Sequence, residues 1–244
     1  MKVKISSLRS LSAVLLGLSI SPQLTHAAIF DAADILQPQK NSVGVLAEAV
    51  LNNPSSTGAE LRLKHGFNEE VNVSAILGTG SENRRTRFGA LGTFNFFPDT
   101  DGQPGISLLA GGLYLKRASY GALQLSIGPI VHKSVQSFHE YPMNLYVALP
   151  WTLEFHSGSY NTALQLVLGD NFEISSGRNW LFNTEAGFSL SRSETYVALG
   201  ISYRFGSFSA LIPGSTSKSK ANTTGSDDDG EELRSEDFNK PITK

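Results

Sequence analysis

The sequence predicts a closed, antiparallel β-barrel that spans a membrane, and three observations support this fold class. Ten segments between residues 42 and 205 alternate between apolar and small or polar residues with a period of two, which is typical of β-strands. In each segment, every second residue belongs to one face of the strand, and we call these two sets the apolar parity and the polar parity. The polar parity is rich in glycine, alanine, serine and asparagine, and the apolar parity tends to end in aromatic residues. Charged residues make up only 17% of the chain, below the roughly 25% that soluble domains carry.

The composition excludes several classes of protein. The chain has 244 residues and no cysteine, which excludes a disulfide scaffold, a cysteine-based zinc module and a thiol enzyme. Its glycine-rich spots lack the lysine and hydroxyl residues of a phosphate-binding loop and the strand-to-helix context of a dinucleotide site. We therefore expect no cofactor and no bound metal ion.

The first segment, from Met1 to about Ala27, is typical of a secretory signal peptide. Lys2, Lys4 and Arg9 precede an apolar stretch from Leu11 to Ile20, which is far shorter than the roughly 20 residues of a spanning helix. Cleavage near Ala27 leaves 17 basic residues against 22 acidic ones, a net charge near −5. This charge argues against a nucleic-acid partner.

The last predicted strand shows the alternation most clearly. One parity of residues 194–205 carries Val197, Leu199, Ile201, Tyr203 and Phe205. The other parity carries Glu194, Tyr196, Ala198, Gly200, Ser202 and Arg204. A helix does not sort residues in this way. The ten predicted strands lie at residues 43–51, 59–66, 71–77, 88–96, 106–114, 121–131, 144–156, 162–172, 180–190 and 194–205.

The direction of the apolar parity decides between a membrane barrel and a soluble one. A soluble barrel turns its apolar parity inward and shows charged residues to water, but here the second parity is largely small and uncharged. The spacing of about 16 residues per strand and connection accommodates the roughly 9–11 residues of a tilted spanning strand. Because the backbone must be fully paired in lipid, the sheet must close, with ten strands, or eight if two weak segments are loops.

The segment Tyr196–Phe205, Tyr-Val-Ala-Leu-Gly-Ile-Ser-Tyr-Arg-Phe, resembles the terminal strand of bacterial outer-membrane β-barrel proteins. The resemblance is to this class and to no individual family within it. It implies a location in the outer membrane of a Gram-negative bacterium, contact with lipid and lipopolysaccharide, and recognition of this strand by the barrel-assembly machinery. Such chains usually stop at the final aromatic residue, whereas 39 residues follow Phe205 here.

Two segments flank the predicted barrel at residues 42–205. Residues 28–41 are expected to form an N-terminal periplasmic segment. Residues 206–244 are polar and acidic, and we expect a disordered tail on the periplasmic side. The acidic run Asp227–Glu232 lacks the spacing of an EF-hand loop, which favours a solvated tail over a calcium site.

The polar parity is expected to bring charged side chains into the lumen. These are Glu48, Glu60, Arg62, Lys64, Glu154, Glu185, Glu194 and Arg204. One interpretation is a selective pore or a ligand site, and the other is a structural network that fills a narrow barrel. The mixture of signs favours the network, because a conducting filter usually presents one dominant charge.

Two further candidate sites remain. Arg84, Arg85 and Arg87 fall in a predicted outer loop, where they are expected to contact lipopolysaccharide phosphates or to be solvated. His156 lies at a strand end with Glu154 on the same face, which is the weak basis for a hydrolase hypothesis. A solvated histidine is the more common outcome at such a position, so we expect no enzymatic activity.

Three residues fit the predicted barrel poorly. Pro129 and Pro150 lie inside predicted strands, so they must occupy bulges or strand ends. His65 lies on the lipid-facing parity, where it requires an interfacial position.

The sequence thus predicts a small outer-membrane barrel with a structural or surface-interaction role and a lumen filled by side chains. The alternatives are a narrow channel for a small solute, an exported soluble barrel that binds an apolar ligand, and an outer-membrane hydrolase.

Overall fold

A computed structural model describes residues 29, 32–52, 54–81, 86–117, 120–136, 142–174 and 179–206. The strands are β1 (Asn41–Val50), β2 (Ser56–Gly66), β3 (Val71–Gly80), β4 (Thr86–Phe97), β5 (Gly105–Lys116), β6 (Gly121–Gln136), β7 (Pro142–Ala148), β8 (Trp151–His156), β9 (Ser159–Glu173), β10 (Trp180–Ser191) and β11 (Tyr196–Phe205). The predicted signal peptide, Arg84, Arg85 and the tail beyond Gly206 lie outside the described residues. Within the described part of the chain, no helix is long and apolar enough to cross a bilayer.

The strands form a single closed antiparallel sheet. Except for β7 and β8, consecutive strands pair with each other, and β1 pairs with β11 from Asn41 opposite Phe205 to Val50 opposite Tyr196. The strands β7 and β8 both pair with β6 and β9, so the eleven strands occupy ten positions around the barrel. The predicted fold class, a closed antiparallel barrel of about ten strands, is confirmed.

Pro129 and Pro150 lie at one interruption in the sheet. The strand beside β6 stops at Ala148 and resumes at Trp151, and the backbone N–H of Leu149 donates to the carbonyl oxygen of Pro129 at 3.1 Å. Pro150 therefore lies between two strand ends, as expected. The prediction for Pro129 is wrong, because this residue lies inside β6, opposite the gap, rather than at a bulge or strand end. Because proline has no N–H, an interruption at this point costs the sheet few hydrogen bonds.

The apolar parity faces outward along every strand with clear alternation. Leu199 and Ile201 are 55% and 40% exposed, whereas Glu185 on the other parity is 3% exposed. Other outward residues include Val45, Leu61, Leu77, Leu125, Val147 and Leu168. The arrangement is the reverse of a soluble barrel, and it agrees with the apolar outer band of membrane barrels.

Aromatic residues ring the outer surface at both ends of the barrel. We call the end where β1 begins and β11 finishes the terminal end, and the opposite one the far end. At the terminal end Trp180 packs against Tyr203 with ring centroids 4.8 Å apart, and at the far end Phe88 and Tyr114 pack at 5.2 Å. His65 lies at the terminal end, where its Nδ1 is 2.8 Å from Oδ1 of Asn41. These rings match the aromatic girdles at the two surfaces of a membrane.

The N-terminal segment lies inside the barrel, which corrects one prediction. Residues 28–41 are predicted to form a segment outside the barrel, but Ile29 and Ala33 are each 1% exposed and pack on inward-facing side chains of the sheet. We call residue 29 together with residues 32–36 the plug. Residues 37–40 are exposed and connect the plug to β1 at the terminal end.

Candidate functional site

The lumen has two chemically different walls. The charged wall consists mainly of inward-facing residues of β1, β2, β10 and β11, namely Glu48, Glu60, Arg62, Lys64, Glu185 and Arg204. The apolar wall runs from β3 to β9 and carries Ile76, Leu91, Leu109, Leu113, Ile130, Ala148 and Val167. The plug lies between them, with Ile29, Ala32 and Ala33 packed on the apolar wall.

The deepest part of the plug is held through its backbone. The N–H of Ile29 donates to Oε1 of Glu185 at 2.9 Å, and its carbonyl oxygen accepts from Nη1 of Arg62 at 2.7 Å. The N–H of Ala32 donates to the same carbonyl at 3.2 Å, which closes a turn. Two charged side chains on opposite sides of β1 therefore bind one plug residue.

The outer part of the plug makes further contacts of the same kind. Nδ2 of Asn144 donates to the carbonyl oxygen of Ala33 at 2.7 Å, and the N–H of Leu36 donates to Oδ1 of Asn72 at 3.1 Å. Nζ of Lys64 donates to the carbonyl oxygen of Asp34. Side chains of three strands thus pair the plug's buried backbone groups, as burial requires.

Asp34 is the plug side chain that forms an ion pair with the barrel. Its carboxylate accepts from the guanidinium of Arg204, at 3.3 Å for the Nε–Oδ2 contact, and Arg204 also binds Glu173 at 3.0 Å. Burial raises the pKa of Asp34, but the charges of Arg204 and Lys64 together outweigh it and hold this pKa below the ordinary value of 3.8. The ionised carboxylate therefore favours the inserted plug.

Two tyrosines orient the carboxylate of Glu185. The hydroxyl of Tyr146 donates to Oε2 of Glu185 at 2.5 Å, and the hydroxyl of Tyr196 donates to Oε1. A Cβ at Gly169 would overlap the ring of Tyr146, and one at Gly187 would overlap the ring of Tyr196. The two glycines therefore allow the rings to lie against the barrel wall, so that both hydroxyls reach the carboxylate.

The far half of the lumen is filled by a network of buried ion pairs. Nε of Arg87 donates to Oε2 of Glu60 at 2.6 Å, and Nη2 of Arg87 donates to Glu48. Arg62 donates twice to Oε1 of Glu60, from Nε at 3.0 Å and from Nη2 at 2.9 Å. Because the four side chains are at most 4% exposed, their charges compensate one another without bulk water.

A second far-end cluster contains the residues of the hydrolase hypothesis. Oε2 of Glu154 accepts from Nη2 of Arg117 at 2.8 Å and from Nε2 of Gln124 at 2.7 Å. Nδ1 of His156 is 3.8 Å from Oε1 of Glu154, beyond hydrogen-bond distance. Glu154 thus lies in an ion pair with Arg117.

A cavity of about 290 Å³ remains beside the outer part of the plug at the terminal end. Its polar lining includes Asp34, Asn95, Asp99, His132, Asn144 and Arg204. Oγ of Ser107 is 3.3 Å from Nε2 of His132, but Ser107 does not line the cavity. No cluster of three or more potential metal ligands occurs among the residues that the structure describes.

The structure places the predicted lumen residues inside the barrel and corrects the position of Arg87. Glu48, Glu60, Arg62, Lys64, Glu154, Glu185, Glu194 and Arg204 are inward or buried at the lumen ends, in several separate clusters. Arg87 is predicted to lie in an outer loop, but it is an inward residue of β4 and only 1% exposed. Strand β4 starts at Thr86, earlier than predicted, so the parity of the strand turns Arg87 toward the two glutamates.

Sequence reasoning missed Asp34, Asn72, Tyr146 and Tyr196 as residues of the site. The sequence contains one signal of a filled lumen. The segments that correspond to β4, β5, β6 and β9 alternate less clearly than the others, because they carry apolar residues on both parities. Leu91, Leu109 and Ile130 are inward residues of this kind, and they pack in the same cluster as Ile29. An inward apolar residue in a membrane barrel therefore indicates that something apolar covers it.

Comparison with known proteins gives similarities of architecture. No model of a known protein family matches the chain, and no characterised protein matches it by sequence. The β domain of the Bordetella autotransporter BrkA is 13% identical with a TM-score of 0.45, over 68% of this chain and 99% of that domain. The translocator domain of autotransporter NalP from Neisseria meningitidis is 12% identical with a TM-score of 0.39, over 81% and 94%. The KdgM porin is 12% identical with a TM-score of 0.37, over 67% and 99%.

Proposed function

We propose that the protein is a small outer-membrane β-barrel of a Gram-negative bacterium, and that its lumen is closed to solutes. Its role is structural or one of surface interaction. The apolar outer face and the two aromatic girdles support the membrane location, because together they match the lipid-facing surface of such barrels. The same outer face argues against the exported soluble barrel.

The observation that carries the proposal is that both halves of the lumen are filled. The plug occupies the terminal half, and the network around Arg87 occupies the far half. Among the described residues, the buried ion pairs are of mixed sign, whereas a constriction that selects ions usually presents one dominant charge. Glu154, the carboxylate of the hydrolase hypothesis, is bound to Arg117 and Gln124.

Two measurements test the proposed function. In cell fractionation, we expect the protein in the outer membrane, with heat-modifiable migration in detergent gels. In planar bilayers, we expect the purified full chain to insert without conductance steps. Recovery in the soluble periplasmic extract contradicts the membrane location, and regular steps from the unmodified protein contradict the closed lumen.

A further inference from the structure

We propose that the lumen is a peptide-binding site, which the plug occupies as an intramolecular ligand and which accepts a second peptide of the same chemistry when the plug leaves. This inference rests on the closed lumen of the proposed function. It adds a ligand class, a short peptide with an aliphatic residue, two small residues and a carboxylate in the order of Ile29, Ala32, Ala33 and Asp34.

The barrel binds mainly the backbone of the plug. Glu185 and Arg62 contact the N–H and carbonyl of Ile29, Lys64 the carbonyl of Asp34, Asn144 that of Ala33, and Asn72 the N–H of Leu36. Every peptide offers the same N–H and carbonyl groups. A wall that pairs them through side chains of four strands is therefore a surface for peptides in general.

The apolar wall limits the size of the side chains that the plug can carry. Ile29, Ala32 and Ala33 belong to one buried cluster with inward residues such as Leu109 and Val167. Two consecutive alanines allow the backbone to approach that wall closely, and the cluster leaves Ala33 only 1% exposed. If the plug left, this wall would face water inside the barrel, so a replacement of similar shape would be favoured.

The charge of the site also selects its ligand. Asp34 is bound by Arg204, with Lys64 nearby, so the site requires a carboxylate at the position that follows the two small residues. A lysine there would face two cations in a buried site. The ion pair thus fixes the register of the bound peptide and distinguishes it from other short apolar segments.

The site is accessible from the terminal end of the barrel. Residues 37–40 are exposed, and they lead the plug out at the terminal end toward β1. The cavity of about 290 Å³ lies beside residues 33–35 at the same end. The plug is joined to the barrel through residues 37–40 and otherwise by the hydrogen bonds, ion pair and packing described above. A second peptide therefore has an approach from the terminal end.

The test uses a fluorescent peptide of residues 28–38 and the chain without residues 28–36, purified in detergent. By fluorescence anisotropy we expect saturable binding to this deletion variant. The full chain should bind at least 10-fold more weakly, because its own plug competes at a high effective concentration. A peptide with Asp34→Lys serves as the matched control and should bind at least 10-fold more weakly than the original.

A second variant keeps the test valid if the deletion does not fold. In the full chain, Asp34→Lys places a cation beside Arg204 and Lys64, which should expel the plug and allow the wild-type peptide to bind. Gln37→Lys introduces the same lysine ammonium group at an exposed position and should leave the peptide unbound. Heat-modifiable migration shows that each variant is folded.

Three results overturn the inference. They are folded variants that bind no peptide, equal binding of the original and the Asp34→Lys peptides, and equal binding by the wild-type chain. The assay is made in detergent, so it does not depend on the membrane location. Conductance from the wild-type protein would contradict the proposed function while leaving peptide binding measurable, which keeps the two failures distinguishable.

Discussion

The two halves of the lumen are closed by different means. In the terminal half, barrel side chains bind the backbone of a separate segment, and in the far half they bind one another. Loss of the plug admits water to Arg62, Lys64 and Glu185, which can then be hydrated. Loss of Arg87 instead leaves Glu48 and Glu60 beside one another in a buried site. The plug can therefore leave an otherwise folded barrel, whereas the network around Arg87 is part of the folded wall.

The largest expected effect is the opening of a continuous pore when both closures are removed. We expect no conductance from the chain without residues 28–36, because the network of Glu48, Glu60 and Arg87 still fills the far half. Serine at these three positions with the plug in place should also be silent. The combined variant should conduct in planar bilayers.

The controls for this experiment are the two partial variants, measured under the same salt and voltage. Conductance steps from the plug deletion alone would contradict the view that the far network is a closure in its own right. Silence from a folded combined variant would show that other residues, such as Arg117 and Glu154, also close the lumen.

The next effect concerns stability. Arg87→Ala leaves two buried glutamates without their shared guanidinium, and breaking a buried ion pair in this way costs about 3–5 kcal/mol. We expect a large drop in the urea midpoint for unfolding from lipid vesicles. Lys116→Ala, at an exposed position of β5, is the matched control and should change the midpoint little. Similar midpoints for the two variants would count against the far network as a structural element.

A smaller effect is release of the plug by acid. The pKa of Asp34 is depressed in the folded chain. The ionised carboxylate therefore stabilises the inserted plug above the ordinary value of 3.8, and this stabilisation is lost as the pH falls below that value. Because protonation removes the ion pair with Arg204, we expect the plug to become mobile at low pH. A nitroxide on Ile35→Cys, a half-buried plug residue that lines the cavity, should sharpen its spectrum on acidification; the chain has no other cysteine.

The control for acid release is the same spin label with Asp34→Asn. This variant should hold the plug less tightly at neutral pH and show less change on acidification. A pH response as large as that of the parent would assign the release to other carboxyl groups, such as Glu173 beside Arg204.

The smallest effect is expected at the rim of the terminal end. Lys133 binds Asp99 at 2.8 Å, but its side chain is 36% exposed, and exposed pairs contribute about 0–1 kcal/mol. Lys133→Met should shift the urea midpoint slightly and leave the plug in place. A loss as large as that of Arg87→Ala would show that the rim, rather than the far network, determines the stability of the barrel.

Much of the barrel could be predicted from the sequence because its two faces meet different solvents. Residues 194–205 alternate so regularly that the direction of Leu199 and Arg204 follows from one assumption, that the apolar parity contacts lipid. The interruption at Pro150 was predictable for a similar reason, since proline cannot donate to a sheet.

The plug could not be predicted because it has no periodicity of its own. Residues 32–36 form neither a helix nor a strand, and their partners are distant in the sequence, as in the pairing of Ile29 with Glu185. Arg87 was misplaced because strand β4 begins within an apparently polar loop. Local patterns identify the faces of strands, whereas contacts across a lumen depend on the closure of the whole sheet.

The plug also stabilises the seam of the barrel, by which we mean the pairing of β1 with β11, the two strands that no hairpin connects. Strands β1 and β11 are the first and last of the sheet, and they are linked by backbone pairing and side-chain packing without a connecting turn. The plug continues directly into β1, and its Asp34 binds Arg204 on β11, so a covalent connection and an ion pair meet across this seam from the inside. Because the plug is continuous with β1, the two strands can separate laterally only after the ion pair between Asp34 and Arg204 has broken.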